Sequence, residues 1–188
     1  MTTNAAGQDA HALNQILPPE SREILDSVEQ DFGFIPNIYR ALAATPAALD
    51  ALAALNTGFA RSGFTPAERE IAALTTSVFN RCAYCVAAHS GLALAEGVDP
   101  RVIEAVRCGG VAPDTRLEAL HRMTLAVLES RGELEPAQVR AFLNAGFQAP
   151  QIMELLIGIA AKVMTNFASK IAHLPLDDAF ADQAWEPQ

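Results

Sequence analysis

The 188-residue chain contains few of the residues that characterise nucleic-acid-binding, secreted or membrane-spanning proteins. Lys and Arg number 13 against 22 Asp and Glu, and a net charge of −9 argues against binding to a nucleic-acid backbone or an anionic membrane surface. No basic start followed by an apolar run indicates a secretory signal. The apolar run from Leu155 to Ala161 is interrupted by Lys162 and is far short of a membrane span. We expect a cytoplasmic location, with neither nucleic acid nor membrane as a partner.

Cysteine and aromatic residues are also scarce. Three cysteines, two of them close together, do not form the disulfide framework of a small secreted protein, and are more typical of catalysis or metal binding in a reducing compartment. Aromatic residues make up 6% of the chain, and Ala and Leu dominate its hydrophobic half, which favours helices over strands. The length suits one well-buried core.

Helix signals follow one another along most of the chain, and no alternating pattern demands a strand. The clearest signal is Thr65-Pro66-Ala67-Glu68, because Thr65 can cap a helix, Pro66 suits its first position and Glu68 completes a capping box. The cysteine-containing segment around Cys82 is expected to form the next helix, which should end at Gly97.

The helix pattern predicts one domain over residues 20–180, preceded by a loose N-terminal arm (1–19) and followed by a C-terminal tail (181–188). We expect an all-α, single-domain helical bundle of about eight helices. A weak repeat aligns Pro100 with Pro136. It predicts a short helix, a turn that ends in glycine and a long helix, used twice.

The segment around Cys82 contains three residues whose side chains can take part in catalysis: Cys82, Cys85 and His89. At roughly 100° per helical residue they lie within an arc of about 60°. His89 lies one turn beyond Cys85, so we expect its imidazole to reach that sulfur. A neighbouring base or a helix N-terminus favours the reactive thiolate, and a second cysteine three residues away can form a disulfide after the first is oxidised.

Glu70 is the fourth candidate site residue. It lies at the edge of the apolar face of its helix, so its carboxylate is expected to be partly buried. In that position it can orient or deprotonate His89, either directly or through a water molecule.

These residues resemble the signature of a known family. Glu70, an eleven-residue spacer, Cys82-x-x-Cys85 and a histidine after three further residues resemble alkylhydroperoxidase D-like proteins, which belong to the carboxymuconolactone decarboxylase family. The resemblance is close from about Thr65 to Gly97. Residues 32–37, Phe-Gly-Phe-Ile-Pro-Asn, and the helix after them resemble the peroxidase-related branch of that family.

The resemblance implies an all-helical fold assembled into trimers or larger rings such as hexamers. It also implies peroxide reduction without metal, haem or other cofactor, in which Cys85 attacks the peroxide, Cys82 resolves the product, and Glu70 and His89 relay the proton. The best-studied branch has a further histidine between the cysteines, where this chain has Tyr84. Tyr84 can assist as a hydrogen-bond donor but is no base near neutral pH. We predict an antioxidant peroxidase that reduces hydrogen peroxide or alkyl hydroperoxides and is itself reduced by an external dithiol or a protein.

Two other functions remain open. One is a lyase like carboxymuconolactone decarboxylase, although such relatives use a histidine-centred site and generally lack the cysteine pair. The other is a non-enzymatic thiol redox sensor, which would form the same disulfide once. A structural zinc site is disfavoured because zinc normally takes four protein ligands and Cys108 stands alone.

The remaining polar residues are expected to have structural roles. Glu68 is assigned to capping, and Cys108 to a small apolar position near a helix end. Asn166 is expected to satisfy a buried hydrogen bond rather than to act in catalysis. The other histidines are expected to be structural or exposed, namely His11, His121 and His173.

Overall fold

In a computed structural model, which describes residues 18–187, the helix signals correspond to nine α-helices. These are α1 (Arg22–Phe32), α2 (Asn37–Ala43), α3 (Pro46–Ala60), α4 (Pro66–Phe79), α5 (Ala83–Ala95), α6 (Pro100–Cys108), α7 (Thr115–Ser130), α8 (Pro136–Asn144) and α9 (Ala149–Ile171). Short 3-10 helices occupy Pro19–Ser21 and Asp178–Gln183. The described residues contain no strand, so the all-α prediction is confirmed. Most of the predicted N-terminal arm, with His11, lies outside the described residues.

The predicted capping box at the start of α4 is present. Thr65 Oγ1 accepts a hydrogen bond from the Glu68 amide at 3.2 Å, and Glu68 Oε2 accepts one from the Thr65 amide at 2.9 Å. The other carboxylate oxygen of Glu68 accepts from Arg116 Nε at 2.6 Å. This charge can therefore be buried, because every polar contact it needs is supplied by the cap and by α7.

The predicted repeat is also confirmed. A short helix (α6) and a long one (α7) are followed by a second short helix (α8) and a second long one (α9). Gly109 and Gly146, which follow the two short helices, have φ angles of 70° and 92°. This left-handed conformation strains other residues and favours glycine.

Helices α4 and α9 form the centre of the bundle. Helix α4 packs against α5, α6, α7 and α9, and α9 also packs against α2, α3 and α5. Ile71, Leu74 and Leu155 of these two helices are completely buried. Gly158 permits the close approach of α9 to α3, because a Cβ atom there would lie 2.5 Å from the ring of Phe59.

Helix α9 corrects one sequence expectation. It has 23 residues, and its most apolar 18-residue window has a mean hydropathy of 1.4, so by length and composition it is able to cross a membrane. The apolar character continues on both sides of Lys162, whose single charge does not divide the helix. Among the described helices it is the one that meets this test. Its packing against four other helices is that of a central helix in a folded domain.

After α9 the chain returns across the bundle. The 3-10 helix Asp178–Gln183 packs against α5, where Phe180 is buried beside Ala87 and Ala88. Arg107 holds the following backbone by donating to the Ala184 carbonyl at 2.9 Å. The tail predicted from residue 181 thus begins inside this 3-10 helix.

Candidate functional site

The turn between α4 and α5 places the first cysteine. Arg81, two residues after the end of α4, has a left-handed φ of 53°, and the Cys82 amide donates to the Ser77 carbonyl at 2.9 Å. Cys82 itself precedes α5 rather than lying within it, which corrects the expectation of a single helix carrying both cysteines. Its backbone is extended because its Sγ atom caps the helix, accepting a hydrogen bond from the Cys85 amide at 3.3 Å.

The two sulfurs lie on the same side of the chain and approach one hydroxyl group. Ser169 Oγ of α9 is 3.0 Å from Cys82 Sγ and 3.8 Å from Cys85 Sγ. Both cysteines are buried free thiols. The predicted juxtaposition of the two sulfurs is therefore present, and Ser169 adds a contact from a distant part of the sequence.

The thiols of this pair have different acidities. The hydrogen bond from Cys85 lowers the pKa of Cys82 to about 6, against the opposing effect of burial, with help from Ser169 and the nearby Lys170 charge. The same hydrogen bond, together with burial and the neighbouring Cys82 charge, raises the pKa of Cys85 well above its ordinary value. In the resting pair the negative charge therefore resides on Cys82, at the positive end of α5.

His89 connects two charged side chains from different helices. Its Nδ1 atom is 2.6 Å from Glu70 Oε2, and its Nε2 atom is 2.8 Å from Lys162 Nζ. A lysine ammonium has no acceptor, so His89 accepts from Lys162 at Nε2 and donates to Glu70 from Nδ1. The expected contact between Glu70 and His89 is thus direct rather than through water.

The pKa values of Glu70 and His89 follow from the contacts among Glu70, His89 and Lys162. Burial raises the pKa of Glu70, but the His89 contact and the Lys162 and Arg69 charges outweigh that effect, so the pKa of the carboxyl lies below its ordinary value. Burial and the Lys162 charge lower the pKa of His89, although Glu70 opposes them. Near neutral pH Glu70 is therefore a carboxylate and His89 a neutral imidazole.

One expected contact is absent from this arrangement. The imidazole of His89 was expected to reach Cys85, but its two ring nitrogens face Glu70 and Lys162. One helical turn brings the residues onto the same face, yet the ring is oriented by partners on α4 and α9. His89 and Cys85 instead share the lining of one cavity.

Two cavities meet at the His89–Lys162 pair. The cysteine cavity, with a volume of about 60 Å³, is lined mainly by apolar side chains. Its lining consists of Phe32, Pro36, Ile38, Tyr39, Leu52, Asn56, Tyr84, Cys85, Ala88, His89, Leu92, Lys162, Thr165 and Phe180. The glutamate cavity, of about 280 Å³, lies beside Glu70 and is also lined by Asp31, Arg69, His89 and Lys162.

Tyr84 contributes to this site mainly by linking neighbouring segments through hydrogen bonds. Its hydroxyl donates to Asp177 Oδ2 at 2.6 Å and accepts from the Ile38 amide at 3.3 Å. Burial and the Asp177 carboxylate both raise the pKa of Tyr84. The phenol is therefore a fixed donor that ties α5 to the C-terminal segment and to α2.

Sequence reasoning missed Lys162 and Ser169. Together with Asn166 they occupy positions i, i+4 and i+7 of an otherwise apolar helix, which places three polar side chains on one face. That spacing was a usable signal, since a polar row on an apolar helix requires buried partners. Asn166 does satisfy buried hydrogen bonds, donating to Ser77 Oγ at 3.2 Å and accepting from Asn80 Nδ2 at 2.9 Å.

The remaining candidate residues lie outside the two cavities. Cys108 is the last residue of α6, as expected, but its thiol is exposed rather than packed. His121 is buried and its Nδ1 atom is 2.9 Å from Thr75 Oγ1, whereas His173 is exposed. Within residues 18–187, no three His, Cys, Asp or Glu side chains lie together in a way that would hold a metal ion.

A comparison with known protein families matches the part of the chain that contains most of this site. Residues 44–121 match the carboxymuconolactone decarboxylase family, and this segment contains Glu70, both cysteines of the pair and His89. No curated protein sequence matches the chain.

Several solved structures share the fold. The alkylhydroperoxidase AhpD core of a peroxidase-related protein from Ralstonia eutropha JMP134 is 26% identical and superposes with a TM-score of 0.77, covering 87% of this chain and 88% of its own. A peroxidase-related protein from Silicibacter sp. TM1040 is 22% identical with a TM-score of 0.77, covering 89% and 90%. The debrominase Bmp8 is 17% identical with a TM-score of 0.72, covering 88% and 90%. The last two similarities establish the fold alone.

Proposed function

We propose that the chain is a thiol-dependent peroxidase, because its residues 44–121 match the carboxymuconolactone decarboxylase family and it has the alkylhydroperoxidase D-like fold. The observation that carries the proposal is the arrangement of the cysteine pair. Both sulfurs approach Ser169, which places them close together, but of the two only Cys85 lines the cysteine cavity. A hydroperoxide that enters this cavity meets Cys85, with Cys82 behind it.

The first step is attack by Cys85 on the peroxide. The Cys82 thiolate, favoured by its position at the helix N-terminus, takes the proton of Cys85 through the hydrogen bond that joins them. The Cys85 thiolate then attacks the terminal oxygen of the hydroperoxide and the oxygen–oxygen bond breaks. Cys85 becomes a sulfenic acid, and the remaining alkoxide leaves as an alcohol after it gains a proton.

The second step closes the disulfide. Cys82 attacks the Cys85 sulfenic sulfur, and the departing hydroxide takes the Cys82 proton to form water. An external dithiol or a reducing protein then restores both thiols and is itself oxidised to a disulfide. Glu70 and His89 support the site through their direct hydrogen bond.

The lining of the cysteine cavity favours organic hydroperoxides. Phe32, Leu52, Leu92 and Phe180 offer apolar surface beside Cys85, and an alkyl group gains free energy by contacting such surface. Hydrogen peroxide fits the same volume but makes no use of these contacts.

The test compares three proteins in a hydroperoxide assay with tert-butyl hydroperoxide and dithiothreitol. The wild type and Cys108→Ser, a control that removes only the exposed thiol, are expected to turn over repeatedly. Cys85→Ser is expected to be inactive, since Ser is a much poorer nucleophile. Consumption of a single equivalent by the wild type indicates a redox sensor instead. Equal turnover by Cys85→Ser overturns the assignment of the nucleophile.

A further inference from the structure

Lys162 is a charged residue of the site to which the proposed steps have not assigned a role. The chain contains only two lysines, and this one projects from α9 into the middle of the site. Its Nζ atom is 2.8 Å from His89 Nε2. It lines both the cysteine cavity and the glutamate cavity, so its ammonium group stands where the two meet.

The charge of Lys162 acts on the groups around it. It favours the ionised forms of Glu70 and Cys85 and disfavours the protonated form of His89. An ammonium group has three protons, of which one is directed to His89. The other two are available to an oxygen atom in the cysteine cavity. Among the residues that line this cavity, Lys162 is the one that carries a positive charge.

We propose that Lys162 is a catalytic residue that donates a proton to the oxygen leaving the hydroperoxide. This inference rests on the proposed peroxidase function. A proton donor is needed because an alkoxide is a strongly basic leaving group. A proton supplied as the oxygen–oxygen bond breaks lowers the activation barrier of that step. Lys162 is suited to the role because the His89–Glu70 contact fixes its ammonium at the edge of the cavity.

The proton balance of the full cycle closes with this assignment. Cys85 gives its proton to Cys82, and the alkoxide takes one from Lys162 and leaves as the alcohol. When the disulfide forms, the Cys82 proton leaves as part of the water molecule produced, and Lys162 remains neutral. Reduction by a dithiol then supplies two protons, of which one returns to Cys85 and the other to Lys162, while Cys82 is regenerated as the thiolate.

The test uses two oxidants that differ in their leaving group. Tert-butyl hydroperoxide releases an alkoxide, which needs a proton, whereas peracetic acid releases acetate, which is stable as an anion. Reduced protein in a Cys108→Ser background is mixed with each oxidant without dithiol. The rate of disulfide formation is followed by intact mass. The ratio of the two rates is independent of the fraction of protein that is correctly folded.

Lys162→Gln is expected to slow the reaction with tert-butyl hydroperoxide about 100-fold and the reaction with peracetic acid much less, because the latter loses only the effect of the lysine charge on the Cys85 thiolate. Lys162→Arg should show the same selective loss, because arginine keeps the charge but does not give up a proton. The matched control is Arg140→Gln, which removes one exposed positive charge from α8 outside both cavities. It is expected to react like the Cys108→Ser parent with both oxidants.

Other results would overturn the assignment. An equal loss with both oxidants means that Lys162 only positions His89 or Cys85. Full activity in Lys162→Arg means that the charge suffices, and unchanged rates in Lys162→Gln mean that the residue takes no part. Failure of the proposed function is recognised separately, because the Cys108→Ser parent then forms no disulfide with either oxidant.

Discussion

Glu70 Oε2 on α4 and His89 Nδ1 on α5 are 2.6 Å apart. The hydrogen bond fixes the tautomer and the orientation of the imidazole, so its second nitrogen is presented to Lys162. A carboxylate that was predicted as a partner for a histidine therefore also determines where the lysine ammonium lies.

Replacing the Glu70 carboxylate should impair catalysis more than stability. Glu70→Gln removes the charge that holds the imidazole and the ammonium in place, and we expect kcat/KM for tert-butyl hydroperoxide to fall roughly 10- to 100-fold. The side chain is about one-fifth exposed, so thermal unfolding should shift little. Glu133→Gln, an exposed substitution in a loop, serves as the control. A large fall in Tm with unchanged kcat/KM would instead assign Glu70 a structural role.

Activity and stability should both depend on the ionisation of Cys82. Its pKa is lowered to about 6 in the folded protein, so peroxide turnover should decline as the pH falls through about 6. Between about pH 6 and pH 9, the ordinary pKa of a thiol, Cys82 is protonated in the unfolded chain but ionised in the folded protein. This contribution to stability is therefore complete above pH 9 and is lost as the pH falls through about 6.

The ultraviolet absorbance of thiolate groups measures this titration directly. Reduced Cys108→Ser protein should show a transition near pH 6, which a further Cys82→Ser substitution should abolish. A transition that survives in the double variant would place the acidic thiol at Cys85. Turnover that is flat across this pH range would separate the ionisation from the chemical step.

Ser169 should tune the acidity of the pair. Its hydroxyl lies 3.0 Å from Cys82 Sγ and lowers the pKa of that thiol. Ser169→Ala is therefore expected to move the thiolate transition to higher pH and to slow turnover near pH 6 more than near pH 8. Ser130→Ala is the matched control, since that hydroxyl donates to a carbonyl of its own helix. An unchanged titration in Ser169→Ala would show that the hydroxyl does not stabilise the thiolate.

Tyr84→Phe should reduce stability without reducing the intrinsic rate. The variant leaves Asp177 without the buried hydroxyl that donates to it at 2.6 Å. We expect a cost of about 1–3 kcal/mol, measured by denaturant unfolding. Asp177→Asn should show a similar loss because it weakens the same contact. A fall in turnover by Tyr84→Phe at full stability would instead place the phenol in the proton relay.

Most of the fold could be predicted from the sequence because the signals that begin and end its helices are local. Proline at the first helical position, the capping box at Thr65 and glycine after α6 and α8 each act within a few residues of a helix end. The apolar run identified in the sequence ends at Lys162, whereas α9 continues for nine residues beyond it.

Only part of the candidate site could be predicted from the sequence. Helical spacing relates Cys82, Cys85 and His89 to one another, and Glu70 was identified from its position on the preceding helix and from the family signature. Lys162 was read as a break in an apolar run. Its role depends on the packing of α9 against α4 and α5, which no local pattern encodes. The same packing turned the imidazole of His89 away from Cys85.

The cysteine cavity is assembled from residues inside and outside the segment that matches the family. Its reactive sulfur and imidazole come from the segment that matches the family, residues 44–121, whereas Phe32 of α1 and Phe180 of the C-terminal 3-10 helix come from beyond it on either side. Substitutions near the two ends of the chain can therefore reshape which molecules enter without disturbing the thiols. Such a division lets one chemical core acquire new substrates by changes at its periphery.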